Sequence, residues 1–232
     1  MLVYPYRKVM AAASSALVGM PANAPATPAL YLRHSANLST TLWKDQSGNG
    51  KDAVLQGTAA PSTISGTTGV LCNNGGNGNV IVNSTFGLTN VVSMCVRANF
   101  SSANLSGCLL KIGSTNDGYG VGVGNSTFDD VGNHIIGLME VIAWRGTSIN
   151  IGTGLHSLGF MLVSGSPYLQ LYVDGVSVDN YYMSAPYSPA GGVSYIGGYS
   201  TRLFSGIVTD VAVYPRGLSS TEWTALHNAM ST

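Results

Sequence analysis

Between Tyr172 and Tyr214 the chain alternates short β-branched and aromatic runs with glycine-centred turns. These are Tyr172-Val-Asp-Gly175, Tyr195-Ile-Gly-Gly198 and Phe204-Ser-Gly-Ile-Val-Thr-Asp-Val-Ala-Val-Tyr214. Runs this short, and this rich in Val, Ile and Tyr, favour strands over helices. The glycines between them supply the positive φ that tight turns need. The segment therefore reads as consecutive antiparallel hairpins. Directly after it, Ser219 and Glu222 have the spacing of a capping box, followed by Trp223, Leu226 and Met230 on one apolar stripe. A short C-terminal helix docked through those three residues is predicted.

The rest of the chain repeats the pattern. Short apolar or alternating runs at Ala29–His34, Val91–Phe100, Cys108–Gly113, Tyr119–Gly124, His134–Ala143 and Leu158–Val163 predict further strands. Gly57–Gly78 and Ser184–Gly192 read as the long loops. With 232 residues and 45% hydrophobic content, the chain can bury one large core. Many short strands around one core stack as two sheets. The expected fold is all-β, a two-sheet antiparallel jelly-roll sandwich over residues 29–232 with a short C-terminal helix, preceded by an extended N-terminal arm over residues 1–28.

Charge narrows the class of partner. Ten basic and ten acidic residues leave a net charge of zero, so the chain lacks the electrostatic footprint of a nucleic-acid binder. No stretch reaches the ~20 consecutive apolar residues of a membrane helix. Low charge also offers little repulsion between copies, which points to a chain that works in an assembly. Cys72, Cys95 and Cys108 are odd in number and lack a zinc-type spacing, so reduced, buried thiols are expected.

The densest turn chemistry lies in Trp43-x-Asp45-x-Ser47-Gly48-Asn49-Gly50-x-Asp52-Ala53. Asp45 and Ser47 can fold back onto local amides, and Gly48 and Gly50 permit positive φ, so a compact loop follows a core tryptophan. This motif resembles the opening of the laminin-G-like domains of the concanavalin A-like lectin and glucanase superfamily. The C-terminal segment is similar to the close of the same domains through Tyr172, Asp174, Gly175, Ile196, Gly197, Phe204, Gly206, Ile207, Asp210, Val211, Tyr214, Leu218, Ser219 and Glu222. The resemblance covers about Ala29 to Met230 and implies the jelly-roll fold. One departure is Leu155, where the family carries a tryptophan before the histidine at position 156.

Candidate sites follow from residue chemistry and from that resemblance. Glycosidases need paired carboxylates. The only glutamates are Glu140, with no acidic neighbour at i+2 or i+4, and Glu222, which belongs to the helix cap. A non-catalytic chain is the expectation. His34, His134, His156 and His227 form no i, i+4 pair, so zinc is not expected. Laminin-G-like domains hold calcium at a sandwich rim, so the resemblance implies calcium at Asn116, Asp117, Asp129 and Asp130; the competing reading makes these turn residues. Asp45, Asp52, Asp174 and Asp210 are read as structural, capping turns and binding backbone amides. Glycan binding uses exposed aromatic faces, and Tyr181, Tyr182 and Tyr187 form the densest aromatic patch. The same patch also fits a subunit interface, or two tyrosines on opposite faces of one strand.

Met1–Pro28 carries Arg7 and Lys8, a small-residue run and Pro21-Ala-Asn-Ala-Pro-Ala-Thr-Pro28. It reads as an arm that packs on neighbouring subunits or, alternatively, as a signal peptide. The first functional expectation is a non-catalytic structural or adhesive component of a bacteriophage particle: a capsid decoration, tail or fibre protein located in the virion. Its partners would be other copies, neighbouring virion proteins and host-surface glycans. The alternatives are a secreted or surface-attached bacterial carbohydrate-binding module and a glycoside hydrolase of the same superfamily.

Overall fold

The computed structural model describes residues 20–72, 77–88, 91–102, 105–113, 118–125, 132–139, 143–163, 168–182, 192–200 and 202–232, with side chains at all of these except 139, 143–145, 168 and 182. They form two stacked antiparallel sheets and one helix. In the first sheet the order is β14 (Val176–Tyr182), β13 (Tyr168–Val173), β12 (Gly154–Val163), β7 (Val92–Phe100), β18 (Gly206–Tyr214), β5 (Thr67–Cys72) and β4 (Ala60–Ile64). A further strand, β1 (Leu30–Arg33), pairs with the second half of β18, beyond the three residues that pair with β5.

The second sheet runs β11 (Ala143–Asn150), β10 (His134–Met139), β9 (Tyr119–Gly124), β8 (Gly107–Ile112), β15 (Ser194–Ile196), β6 (Asn79–Val82), β3 (Ala53–Gln56) and β2 (Leu42–Trp43). Beside it β16 (Gly198–Tyr199) and β17 (Arg202–Leu203) form a small hairpin. It meets β8 through Leu203, which pairs with Cys108 in parallel.

Strand alternation sorts the side chains. On β7, Val92, Met94, Val96 and Ala98 join the core between the sheets, while Cys95 belongs to a separate cluster on the outer face. That outer cluster includes Tyr31, Tyr172 and Tyr214, and it is covered by helix α1 (Ser220–Met230) through Trp223, Leu226 and Met230. Central strands β7 and β18 are thus covered on both faces, which is why they read as almost unbroken apolar runs. The helix begins as predicted: Ser219 and Glu222 exchange side-chain and backbone hydrogen bonds in a full capping box.

Two features differ from the sequence expectation. Gly57–Gly78, read as a long loop, contains the hairpin β4–β5; Ser65 and Gly66 both have positive φ, the geometry that a two-residue hairpin turn requires. Its abundance of Ser, Thr and Gly conceals the alternation. His134–Ala143, read as one strand, instead holds β10, which ends at Met139, and the start of β11 at Ala143. Residues Met20–Pro28 of the arm lie against the chain's own sandwich: Met20 and Ala24 pack on the outer cluster, and the Tyr214 hydroxyl donates to the Pro25 carbonyl at 3.1 Å.

Candidate functional site

On the outer face of the first sheet the β13–β14 turn meets the helix. Asp174 and Gly175 both adopt positive φ between β13 and β14. The Asp174 carboxylate accepts from the Ser157 amide (2.9 Å) and from His156 Nδ1 (2.7 Å), which clamps the turn to β12. A Cβ on Gly175 would press on the helix backbone at Trp223 and Thr224, so glycine allows both the turn and the docking. The indole of Trp223 stacks on Tyr172 with centroids 4.2 Å apart.

His227, from the last turn of α1, completes the group. Its Nδ1 lies 2.8 Å from Ser157 Oγ and 3.7 Å from Asp174 Oδ1. A Ser-His-Asp relay needs serine and aspartate on opposite ring nitrogens. Here both face the same one, and Ser157 is buried. Burial pushes the Asp174 carboxyl up, but hydrogen bonds from His156 and the Ser157 amide outweigh it and hold the group below the usual aspartate range. The same bond to Asp174 raises His156.

The motif loop near the N-terminus is likewise internally satisfied. Asp45 accepts from the amides of Tyr31, Ser47 and Lys51, and Asp52 accepts from the Asp45 amide. Trp43 is fully buried and donates from Nε1 to the Arg33 carbonyl. Asp210 departs from the expected role of binding backbone amides. It sits fully buried within β18, with His34 Nδ1 3.3 Å from its Oδ2. The mid-strand position explains this, since neighbouring amides there are already spent on the sheet ladder.

A different surface lies on the outer face of the second sheet. Ladder pairing places Tyr195 opposite Ile81, Ile81 opposite Val54, and Asn79 opposite Gln56. Their neighbours Val80, Val82 and Ile196 are buried in the core, so this set points outward. Tyr195 and Ile81 are half-buried, while Val54 and Gln56 are exposed. Tyr199, from β16, meets Tyr195 edge to face with centroids 5.0 Å apart. The Lys111 ammonium sits 4.5 Å from the Tyr199 ring centroid and donates to the Gly113 carbonyl. Asn79 Nδ2 donates to the Gly198 carbonyl, tying β6 to the strand that carries Tyr199. The result is a surface of two aromatic rings, aliphatic side chains and two amides.

Of the tyrosines singled out from the sequence, Tyr181 packs against the core and its hydroxyl donates to the Gly146 carbonyl of the opposite sheet (3.0 Å). Its ring is therefore committed to joining the sheets. Tyr187, Asn116, Asp117, Asp129, Asp130 and Glu140 lie outside the described residues, as does the side chain of Tyr182. Tyr195 was read only as part of a fold motif, and Tyr199, just beyond that motif, was not singled out. Their pairing depends on how the β16–β17 hairpin folds beside β8, which no local pattern encodes. All three cysteines are free and buried, and burial pushes the Cys72 and Cys108 thiols up to about 12.

No family model matches the sequence, and no curated protein does. The fold has solved counterparts. Domain 4 of AbnA, a GH43 extracellular arabinanase from Geobacillus stearothermophilus solved with arabinotriose, is similar with a TM-score of 0.64 at 15% identity, over 87% of this chain and 98% of that one. The binding domain of botulinum neurotoxin DC, solved with rat synaptotagmin II, gives 0.63 at 14% identity over 88% of this chain. Trypanosoma rangeli sialidase gives 0.62 at 18% identity over 87%. The chain spans 52% of the neurotoxin domain and 32% of the sialidase. At these identities the likeness establishes a shared architecture, the two-sheet β-sandwich.

Proposed function

We propose that this chain is a non-catalytic adhesive module that binds a neutral oligosaccharide on the outer face of β15, β6 and β3. The observation that carries this reading is the Tyr195–Tyr199 pair, half-buried on a sheet face beside Asn79 and Gln56. Aromatic rings stack on the apolar faces of sugars, and amides satisfy their hydroxyls. Support also comes from architecture, because the sandwich is shared with an arabinanase domain solved with arabinotriose and with a neurotoxin binding domain solved with SialylT.

The non-catalytic part rests on the carboxylates. Glu222 is held by Arg216 and the helix cap, and Asp45, Asp52, Asp174 and Asp210 are each engaged with neighbouring groups. None of these five stands ready as an acid and base pair across a groove. The test is a panel of neutral and sialylated oligosaccharides, arabinotriose among them, titrated against the full chain. Saturable binding to a neutral member, lost in Tyr195→Ala, supports the proposal. Binding indifferent to that substitution, or release of reducing sugar that is abolished by Glu140→Gln, contradicts it.

For the larger setting we propose a bacteriophage particle. Zero net charge, buried reduced thiols suited to cytoplasmic assembly, and an arm preceding the sandwich support that reading. Electron microscopy of assembled material, with copies arranged on a symmetric particle, is the outcome expected. Intact mass showing a chain that starts at Pro25 would favour a secreted module instead.

A further inference from the structure

We propose that His156 and His227, which share the Asp174 carboxylate, form an acid-operated latch that releases helix α1 from the first sheet. Three of the chain's four histidines gather on this one face. His156 comes from β12, His227 from the last turn of α1, and His34 follows β1. Two aspartates and two arginines lie on this face: Asp174 at the β13–β14 turn, Asp210 on β18, Arg97 on β7, and Arg33 on β1, whose Nη2 donates to Thr232 Oγ1 just past α1.

The two histidines that face Asp174 are not equivalent. Both ring nitrogens of His156 meet acceptors, Asp174 Oδ2 at 2.7 Å and the Thr153 carbonyl at 3.2 Å. Only the imidazolium satisfies both with donated hydrogens, so His156 takes the proton that Asp174 can neutralise. His227 meets the same carboxylate at 3.7 Å, and its nearer partner is the neutral Ser157 hydroxyl. A proton on His227 therefore brings a third cation beside Arg97 and His156, opposed by a carboxylate already paired. Asp210 lies with Arg97 and His34 on this face and offsets them rather than His227. Glu222, the other charged residue of α1, is held by Arg216 at the far end of the helix.

The signs separate the two halves of the latch. Burial first, then Arg97 and His156, hold His227 below the ordinary histidine range against the pull of Asp174. Docking of α1 is therefore complete above that range and weakens as pH falls through it toward the folded value. His156 is raised by Asp174, so its clamp on the turn is present in acid and is lost only as pH rises through its folded value. His34 Nδ1 lies 3.3 Å from Asp210 Oδ2, which ties the residue following β1 to β18. Acid thus loosens the helix while the turn and sheet beneath it stay clamped, and the Trp223–Tyr172 stack becomes the surface that opens.

Amide hydrogen exchange on the full chain between pH 7.5 and 5.0, corrected for intrinsic rates, tests the latch. Thr224–Met230 should lose protection by up to about tenfold per pH unit, the limit for uptake of one proton. The β7 amides should not change, and His227→Gln should abolish the dependence. Unchanged helix protection across the range, or an equal loss in His227→Gln, overturns the proposal. If that variant fails to fold, the ring titration of His227 in the unaltered chain decides: a value above about 6.5, the unperturbed histidine, also overturns it.

Discussion

The two outer faces of this sandwich are built from the same strand alternation and are used differently. On the first sheet, outward residues such as Tyr31, Cys95 and Tyr214 are sealed beneath α1 and Met20–Pro28. On the second, Tyr195, Ile81, Asn79 and Val54 point outward without being fully buried. The amino-acid types are similar, so composition does not separate the faces. The difference comes from what the chain lays over each sheet, and it teaches that a strongly patterned motif belongs to the sealed side while the proposed adhesive surface is assembled from weakly patterned positions.

Substitutions on the sealed face should act on stability. Trp223→Ala removes an indole that is 1% exposed and stacked on Tyr172. A loss of about 3–5 kcal/mol is expected, read as a lower midpoint in thermal or denaturant unfolding. Next in size is Asp174→Ala, which strands the Ser157 amide and loosens the turn; about 1–3 kcal/mol is expected from one unsatisfied group. A midpoint indistinguishable from the unaltered chain in either variant would break the assignment of this face to stability.

Smaller effects belong to the helix start. Ser219→Ala removes the cap and should cost about 1 kcal/mol, measured by the same unfolding curves. Hydrogen bonds from Arg216, then from the Ser219 amide, hold Glu222 down at about 2. Because the folded value lies below the ordinary glutamate value, its contribution is present above pH 4.5 and is lost as pH falls through about 2. Unfolding curves between pH 5 and 2 should therefore converge for the unaltered chain and Glu222→Gln. Curves that stay parallel would show that the Arg216 pair contributes nothing.

Much of the sealed side was legible in the sequence because its determinants are local. The Ser219–Glu222 box and the Asp45–Ser47 contact join residues close in sequence, and the Asp174–Gly175 turn is set by two adjacent residues of positive φ, although its clamp to Ser157 and His156 is not local. Asp210 was assigned the wrong company, since its partner His34 is 176 residues away. Of the Tyr195–Tyr199 pair only Tyr195 was visible, as part of a strand, because the value of the pair as a surface depends on Ile81, Asn79 and Val54 arriving from β6 and β3. The hairpin β4–β5 was hidden by residues that serve turns and exposed edges equally well. Short-range chemistry is written in adjacent letters, whereas a surface drawn from three strands is not.

The comparison of faces stands most directly on Tyr195→Ala. Its ring is half-buried and its edge-to-face contact with Tyr199 is worth only about 0.5–1.5 kcal/mol, so the fold should persist. Calorimetric titration of the neutral oligosaccharide panel against the unaltered chain and this variant, with unfolding midpoints measured alongside, is the decisive measurement. Saturable binding in the unaltered chain that disappears in a folded Tyr195→Ala is the predicted result. Binding that survives the substitution, or that disappears instead with a still-folded Trp223→Ala, would place recognition elsewhere and contradict the account.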